Sequence, residues 1–521
     1  MSDTAPHGNP TGLDPEYQNE ASRALAGGTL PPKQPRGLWV LFITEMWERF
    51  SYYGMRALLV LYLIASTSSE AENPGFGWSE GDAYLLYGLY TWAVYLTPIF
   101  GGWLADKFLG THRSMLIGGW IIAAGHICLA LTELFGYSAG AAITLQNGPG
   151  AFLAFMTGLL LIIIGTGFFK PCVSVMVGQL YGEDDPRRDS GFTIFYMGIN
   201  LGAFLAPLVA GTLGEKVGWH WGFGSAAVGM ILGLIFYQIY RPRYLAGVGL
   251  SPAAQKEWDA AQAARSDNRP ASDTLDYAAP APRRMDSVAW QRIGVILVLA
   301  FVGNIVFWAA FEQAGSTMNV FAAQNTDRTV WGLVSGGFPA TWYQSVNPLT
   351  IILFAPVFAW LWVFLERRGL NPSTPAKFAW GLWLLGLAFL AMVLGAIEAR
   401  GGNLAGPHWL LITYVVITWG ELCLSPVGLS MVTKLAPARL QSLMMGVWFF
   451  SFSLSNLAAG IIARFSTRFV PNLETGEPAQ WTFFIPGLPG FFLLLVVIPL
   501  AVGVVVFLIS PILKRMMHGV K

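Results

Sequence analysis

The sequence predicts an all-α membrane protein, with twelve transmembrane helices in two six-helix bundles and both termini cytoplasmic. Three observations carry that reading. Hydrophobic residues make up 54 % of the 521 and charged residues only 12 %, about half the charged share of a soluble domain. Twelve apolar stretches, near residues 38–64, 82–107, 113–135, 151–180, 191–213, 221–241, 289–322, 346–366, 377–397, 408–435, 441–464 and 482–513, can each cross a hydrocarbon core of about 30 Å. The chain also repeats itself after about 255 residues.

Residues 1–36 are polar, with many Pro and Gly, and read as a disordered cytoplasmic tail without a cleavable signal peptide. The first span is then the insertion signal. It is also the most unusual. Glu45, Glu48, Arg49, Tyr52, Tyr53 and Arg56 recur at helical spacing, which confines them to an arc of roughly 140° on one face. Met46, Trp47, Phe50, Met55 and Ala57 cover the rest. Four ionisable groups on one side of an intramembrane helix are costly unless that side meets water, a substrate or opposite charge. The stripe predicts a polar cavity inside the membrane, and with it a transporter.

The later spans supply the opposing groups. Tyr84, Tyr87, Thr91 and Tyr95 share a face of the second span. His126, in the third, lies off the stripes and reads as structural. Lys170 sits deep in the fourth, just before Pro171, where the helix ladder is interrupted. Tyr196 and Asn200 are one turn apart in the fifth. The sixth ends the first half. Residues 242–288, rich in Ala, Pro and charge, form a cytoplasmic linker in which Ser251-Pro252 opens a short helix. Asn304, Trp308 and Glu312 form a stripe in the seventh span, and Asn347 begins the eighth. Thr418, Glu421 and Ser425 line the tenth, again just ahead of a proline, Pro426. Trp448 is in the eleventh. The spans at 151–180, 289–322 and 408–435 are long enough to be tilted or broken. The units are thus a tail (1–36), an N-terminal bundle (37–241), a linker (242–288) and a C-terminal bundle (289–521).

Residue types alone leave other uses open for several of these groups. Tyr and Trp near span ends also anchor at the membrane interface. Asn200 could bond helix to helix, and Glu45 with Arg49 could pair within one helix at i, i+4.

Charge sets the orientation. The tail, the linker and the alternate loops on the same side hold 23 of the 31 Lys and Arg, while the opposite loops hold five: Lys216, Arg328, Arg400, Arg464 and Arg468. Basic residues stay cytoplasmic, so both termini do. Cys128, Cys172 and Cys423 all fall within spans, which favours apolar filler over a disulfide framework. A net charge of +1 gives no reason to expect nucleic acid as a partner. There is no Gly-rich phosphate loop and no metal-spaced His/Cys cluster, so ATP-driven transport and a metal cofactor lack support. No signalling domain is appended, which argues against a membrane sensor.

The repeat is specific. Pro171-x4-Met-Val-x-Gln-Leu180 recurs as Pro426-x4-Met-Val-x-Lys-Leu435, Ile199-Asn-Leu-Gly-Ala as Ser455-Asn-Leu-Ala-Ala459, and Thr97-Pro-Ile-Phe-Gly as Ala355-Pro-Val-Phe-Ala359. All three fall in corresponding spans. Two related halves place a substrate site at their interface, near the membrane midplane. The intramembrane cations Arg49, Arg56 and Lys170 stand against Glu45, Glu48, Glu312 and Glu421, a net of −1 that one proton neutralises. A zwitterionic substrate would leave that balance unchanged. Glu45 and Glu48, one turn apart, disfavour simultaneous ionisation.

These residues resemble a known family. Glu45-Met-Trp-Glu48-Arg49-Phe50-Ser-Tyr52-Tyr53 is similar to the ExxERFxYY motif of proton-coupled oligopeptide transporters, a branch of the major facilitator superfamily. Phe192 to Phe204 resembles the family's second signature throughout. Gly101-Gly-Trp-Leu-Ala-Asp106-Lys-Phe-Leu-Gly110 resembles its first, although Ser114-Met115 departs from the usual small and β-branched residues. Gly167-Phe-Phe-Lys170-Pro171, Phe311-Glu312-Gln313 and Glu421-x3-Ser425-Pro426 also fit. The resemblance covers nearly all of residues 38–515.

It implies a major facilitator fold and uptake of di- and tripeptides with a proton as the coupling ion and no other cofactor. Arg49, Arg56 and Lys170 would face the peptide carboxylate. Glu421, with Asn200 and Asn347, would receive the amine. Tyr52, Tyr53, Tyr87, Tyr95, Trp308 and Trp448 would shape side-chain pockets. Arg56 with Glu312 would form an external gate pair. Glu45, Glu48 and Glu312 would couple the proton. Animal members carry a His where Gly88 stands here, so that proton site is absent. Many bacterial members insert two helices between the halves, but residues 242–288 are too polar for that. The short loop from Glu398 to Pro407 lacks the large external domain of animal relatives, which points to a bacterial inner membrane. The expected partners are the peptide and the lipid bilayer, and the expected working unit is a monomer. The rival within the same fold carries nitrate or another small anion, for which Glu421 would be a liability.

Overall fold

A computed structural model describes residues 33–68, 73–136, 140–181, 185, 187–258, 287–330, 332–437, 440–471 and 478–520. Residues 1–32 of the tail expected over 1–36 and most of the linker expected over 242–288 lie outside the described residues. The tail expectation runs too far, since Gln34 is hydrogen-bonded to Ser190 and Tyr181 and the first helix begins at Arg36. What is described is helical, apart from isolated bridges between Thr326 and Ala405 and between Phe483 and Ile485.

The helices are α1 (Arg36–Ile64), α2 (Glu80–Leu104), α3 (Thr111–Ala130), α4 (Pro149–Gly178), α5 (Arg188–Lys216) and α6 (Trp219–Tyr244). After the linker come α7 (Ser287–Gln324), α8 (Ala340–Arg367), α9 (Thr374–Glu398), α10 (His408–Leu435), α11 (Gln441–Ser466) and α12 (Leu488–Met516). Among the described residues, ten helices are long and apolar enough to cross a membrane. The helices α1 and α2 are as long but more polar, because they carry the charged and tyrosine stripes. Large apolar side chains such as Ile239, Trp360 and Leu508 are more than 60 % exposed. A soluble fold would bury such a belt, and lipid covers it without penalty.

The expected break in the seventh span is present. A π-helical stretch (Leu299–Asn304) and a 3₁₀ turn (Glu312–Gly315) divide α7, and the 3₁₀ turn puts Glu312 at the point of irregularity. Between α6 and α7, residues 252–258 are helical, and Ser251 Oγ accepts the Ala254 N–H at 3.3 Å.

The two halves use the same local devices. Pro98 lies inside α2 and Pro356 inside α8. Pro171 and Pro426 lie inside α4 and α10. Asn200 donates to the Tyr196 carbonyl at 2.9 Å, and Asn456 donates to the Phe452 carbonyl at 2.9 Å. The first six helices pack mainly on one another, as do the last six, and the halves meet through α2 against α11 and α5 against α8. Exchanging the halves exchanges those two contacts, the pattern expected of a duplication. His126 is fully buried, with neither ring nitrogen hydrogen-bonded to a described residue.

At the end of the molecule remote from the chain termini, the halves are tied together. Asn319 donates to the Ala57 carbonyl at 2.8 Å, Trp342 Nε1 to Thr212 Oγ1 at 2.9 Å, and Lys216 to the Gly336 carbonyl at 2.9 Å. Arg464 and Asp82 are 3.5 Å apart.

Candidate functional site

The α1 stripe is buried and internally paired. Glu45, Glu48 and Arg49 are each at most 5 % exposed. Arg49 Nε lies 3.1 Å from Glu45 Oε1 and also forms an ion pair with Glu48. The intrahelical pairing left open by the sequence is therefore present. These are close charge contacts rather than aligned hydrogen bonds, and Arg49 Nη2 has no hydrogen-bond partner among the described residues. Lys170, from α4, stands with Nζ 3.5 Å from the Tyr95 ring centroid, a cation–π distance. It forms no ion pair with a described residue. Pro171 lies inside α4 directly after Lys170 and cannot donate to the Gly167 carbonyl.

One level further from the termini, Arg56 joins the halves. Its Nη2 is 2.5 Å from Glu312 Oε2 on α7. Its Nε donates to Tyr87 Oη at 2.6 Å, and Tyr87 Oη donates to the same Glu312 oxygen at 3.3 Å. Both charges are buried. Such a pair is favourable only with good geometry and further hydrogen bonds, which Tyr87 supplies. Glycine makes the fit possible, since a Cβ on Gly315 would lie 2.0 Å from Tyr87 Oη. At Gly88 a Cβ would lie 2.5 Å from Gly460 Cα on α11. A His side chain would not fit there, because two bare backbones touch.

The facing wall comes from α8 and α10. Asn347 Nδ2 donates to Glu421 Oε2 at 2.8 Å and to Thr418 Oγ1 at 2.9 Å. Glu421 is 7 % exposed and faces no cation within ion-pair distance among the described residues. Asn200 directs its amide N–H to its own helix rather than to Glu421. Trp308 packs against Phe311 and Phe452, with centroids 4.7 and 5.0 Å away.

Between the walls is a cavity of about 200 Å³. Tyr53, Arg56, Tyr95 and Asn200 line it from the first half, and Trp308, Glu312, Asn347 and Glu421 from the second. Arg49, Lys170, Tyr52, Tyr87 and Trp448 do not line it. Arg49 and Tyr87 are held in the ion clusters, and Lys170 sits behind Tyr95. Tyr52 packs on Tyr53. Trp448 is 1 % exposed, wedged against Phe378 and over Gly428. Gln344 and Phe452 line the cavity without having been singled out from sequence. Gln344 precedes Asn347 by one turn, and Phe452 follows Trp448 by one turn, so helical spacing from the chosen residues would have reached both.

The apolar helices and the enclosed polar cavity define a multi-pass membrane transporter. The chain belongs to the proton-coupled oligopeptide transporter (POT) family, whose model matches residues 112–247 and 263–476. It is 40 % identical over 517 residues to the uncharacterized transporter YclF of Bacillus subtilis (strain 168), covering 93 % of this chain and 96 % of that one. It is 36 % identical over 523 residues to a di-/tripeptide transporter of Lactococcus lactis subsp. cremoris, covering 93 % and 97 %. Among solved structures, a variant of a peptide transporter POT in complex with alafosfalin is 37 % identical, with a TM-score of 0.74 over 96 % of this chain and 99 % of that one. A POT family transporter in complex with a thioalcohol conjugated peptide is 29 % identical, with a TM-score of 0.74 over 92 % and 97 %.

Proposed function

We propose that this protein is a proton-coupled symporter that brings di- and tripeptides into the cell by alternating access. In this reading all twelve helices span a bacterial inner membrane, both termini are cytoplasmic, and the monomer is the working unit. The tied end of the bundle interface is then the outer end, and the cavity belongs to an outwardly closed state.

The observation that carries the reading is the division of charge across the cavity. Glu421 is held by Asn347 and Thr418 with no cation beside it, which suits a peptide amine. On the other side Arg56 and Glu312 meet at the cavity wall, with Lys170 one ring behind. Lys170 is the intramembrane cation without a carboxylate partner among the described residues, which suits a peptide carboxylate once Tyr95 swings aside. Peptides differ in side chain but share these two ends, about 3.6 Å further apart per added residue. A ligand bridging both halves also draws them together, as alternation requires. A cavity of about 200 Å³ holds roughly seven waters' worth of volume, the scale of a small dipeptide.

Glu45 and Glu48 would exchange the proton. Both already share one arginine, so a proton on either changes the charge next to Lys170. One charge moving through 100 mV supplies about 2.3 kcal/mol, and one pH unit adds about 1.4 kcal/mol. A carboxylate at the amine end argues against nitrate as cargo. The test is pH-gradient-driven uptake of a labelled dipeptide into liposomes, competed by tripeptides, free amino acids and nitrate. Gradient-driven uptake of labelled nitrate, with none of the dipeptide, would overturn the reading.

A further inference from the structure

Glu215 joins the halves by a second route. It lies at the outer end of α5, and its side chain is 11 % exposed. Oε2 accepts the Ala340 N–H at 2.8 Å, and Oε1 accepts the Thr341 N–H at 2.9 Å and the Thr341 hydroxyl at 2.7 Å. Arg328 stands 3.6 Å from the same carboxylate. The approach is tight, since a Cβ on Gly211 would lie 2.0 Å from Thr341 Oγ1.

The residues that Glu215 holds begin α8. The segment Ala340–Ser345 is a 3₁₀ turn that runs directly into the α-helix at Val346. Its leading N–H groups have no partner within the helix, and here a carboxylate of the other half supplies one. Gln344 and Asn347 follow within two turns, and both line the cavity. Asn347 gives two N–H contacts from one amide nitrogen to Glu421 and Thr418. Hydrogen bonds of this kind are lost with a displacement of about 1 Å, and a short, continuous helical segment transmits such a displacement.

We infer that Glu215 is a positioning residue for the amine end of the substrate site. By fixing the start of α8 to α5, it ties the place of Asn347, and so of the Glu421 carboxylate, to closure of the outer side. When the halves part at Glu215, the three hydrogen bonds break together and the start of α8 is released. The amine-binding carboxylate then loses the alignment that Asn347 gives it. The inference rests on the peptide reading above for what occupies the site, but not for the coupling itself.

Two measurements test it. In proteoliposomes, the wild type is competed with a free-amine dipeptide and with the same dipeptide N-acetylated, which carries no positive amine. Glu215→Ala is expected to reduce the preference for the free amine by about fivefold, the effect of one misaligned hydrogen bond. Inhibition by the acetylated peptide should stay near the wild-type value. Glu215→Gln, which keeps an oxygen acceptor, should fall between, and Thr341→Val should show a smaller loss. Separately, spin labels at Val217→Cys and Leu404→Cys, with Cys128, Cys172 and Cys423 replaced by Ala, report the outer separation without substrate. Glu215→Ala should populate longer distances.

An unchanged amine preference in Glu215→Ala overturns the inference, as does equal weakening of both ligands, which marks a merely structural role. If Glu215→Ala does not fold, Glu215→Gln and Thr341→Val decide on the same criteria. A wild type that takes up no dipeptide counts against the peptide reading, while unchanged outer distances in Glu215→Ala still overturn the part of the inference that ties Glu215 to closure.

Discussion

Arg56 Nη2 lies 2.5 Å from Glu312 Oε2 across 256 residues of chain, and Tyr87 Oη is hydrogen-bonded to both. One buried triad therefore holds three helices from two halves. Removing one partner of a buried pair typically costs about 3–5 kcal/mol, because the other charge remains desolvated. Glu312→Ala is expected to destabilise the outwardly closed state by that order. Spin-label distances between the outer ends should lengthen, and gradient-driven uptake should fall at least about tenfold. Glu312→Gln keeps an acceptor and should lengthen them less.

Glu48 and Glu45 share Arg49, so Glu48→Gln removes one of two carboxylates from a closed cluster. Uptake by the wild type should rise as external pH falls below internal pH, since protons then move inward with the peptide. The variant should lose this dependence and most gradient-driven accumulation. Counterflow exchange of labelled peptide needs no net proton movement and should persist. Full accumulation by Glu48→Gln would remove Glu48 from the coupling role.

Glu421→Gln keeps the shape of the amine end and removes its charge. A hydrogen bond to a charged group is worth about 1.5–3 kcal/mol. The KM for a dipeptide should therefore rise by about one to two orders of magnitude. Uptake that survives unchanged would count against a peptide amine at this carboxylate.

Gly315→Ala places a methyl group where Tyr87 Oη now sits, 2.0 Å from the ideal Cβ position. The 3₁₀ turn or the Tyr87 ring must move, at an overpacking cost of about 1–3 kcal/mol. The thermal midpoint in detergent should drop. Uptake should fall further than for the same substitution at Gly446, where no atom lies within 4 Å.

Much of the fold was legible because lipid imposes simple rules. Each apolar stretch expected from sequence has a helix at the same place, offset by a few residues at its ends. The last stretch, expected from residue 482, begins its helix at Leu488, because Phe484 and Gly487 take positive φ values of 54° and 80° that no α-helix continues through. The repeat was legible through Asn200 and Asn456, which turn out to make the same bond to the carbonyl four residues back. In the site, type and spacing identified Arg56, Glu312, Asn347 and Glu421, all cavity-lining. They left open whether Arg49 pairs within its own helix, as it does, and they did not reveal that Trp448 is sealed beneath Gly428. The burial of Trp448 depends on how closely two helices approach, which one strand of sequence does not encode locally. Glu215 was invisible for another reason: its partners at Ala340 and Thr341 are mainly backbone N–H groups, which any residue type but proline could supply.

The contact of Gly88 with Gly460 also limits what substitution can bring back. The resemblance puts a histidine at this position in animal members of the family. Grafting an imidazole onto α2 alone would drive it into the backbone of α11, so Gly88→His should wreck the interface before it ever carried a proton. A histidine at this position therefore requires α11 to stand further from α2 than it does here. Helix spacing, and not chemistry alone, decides which side chains this seam can admit.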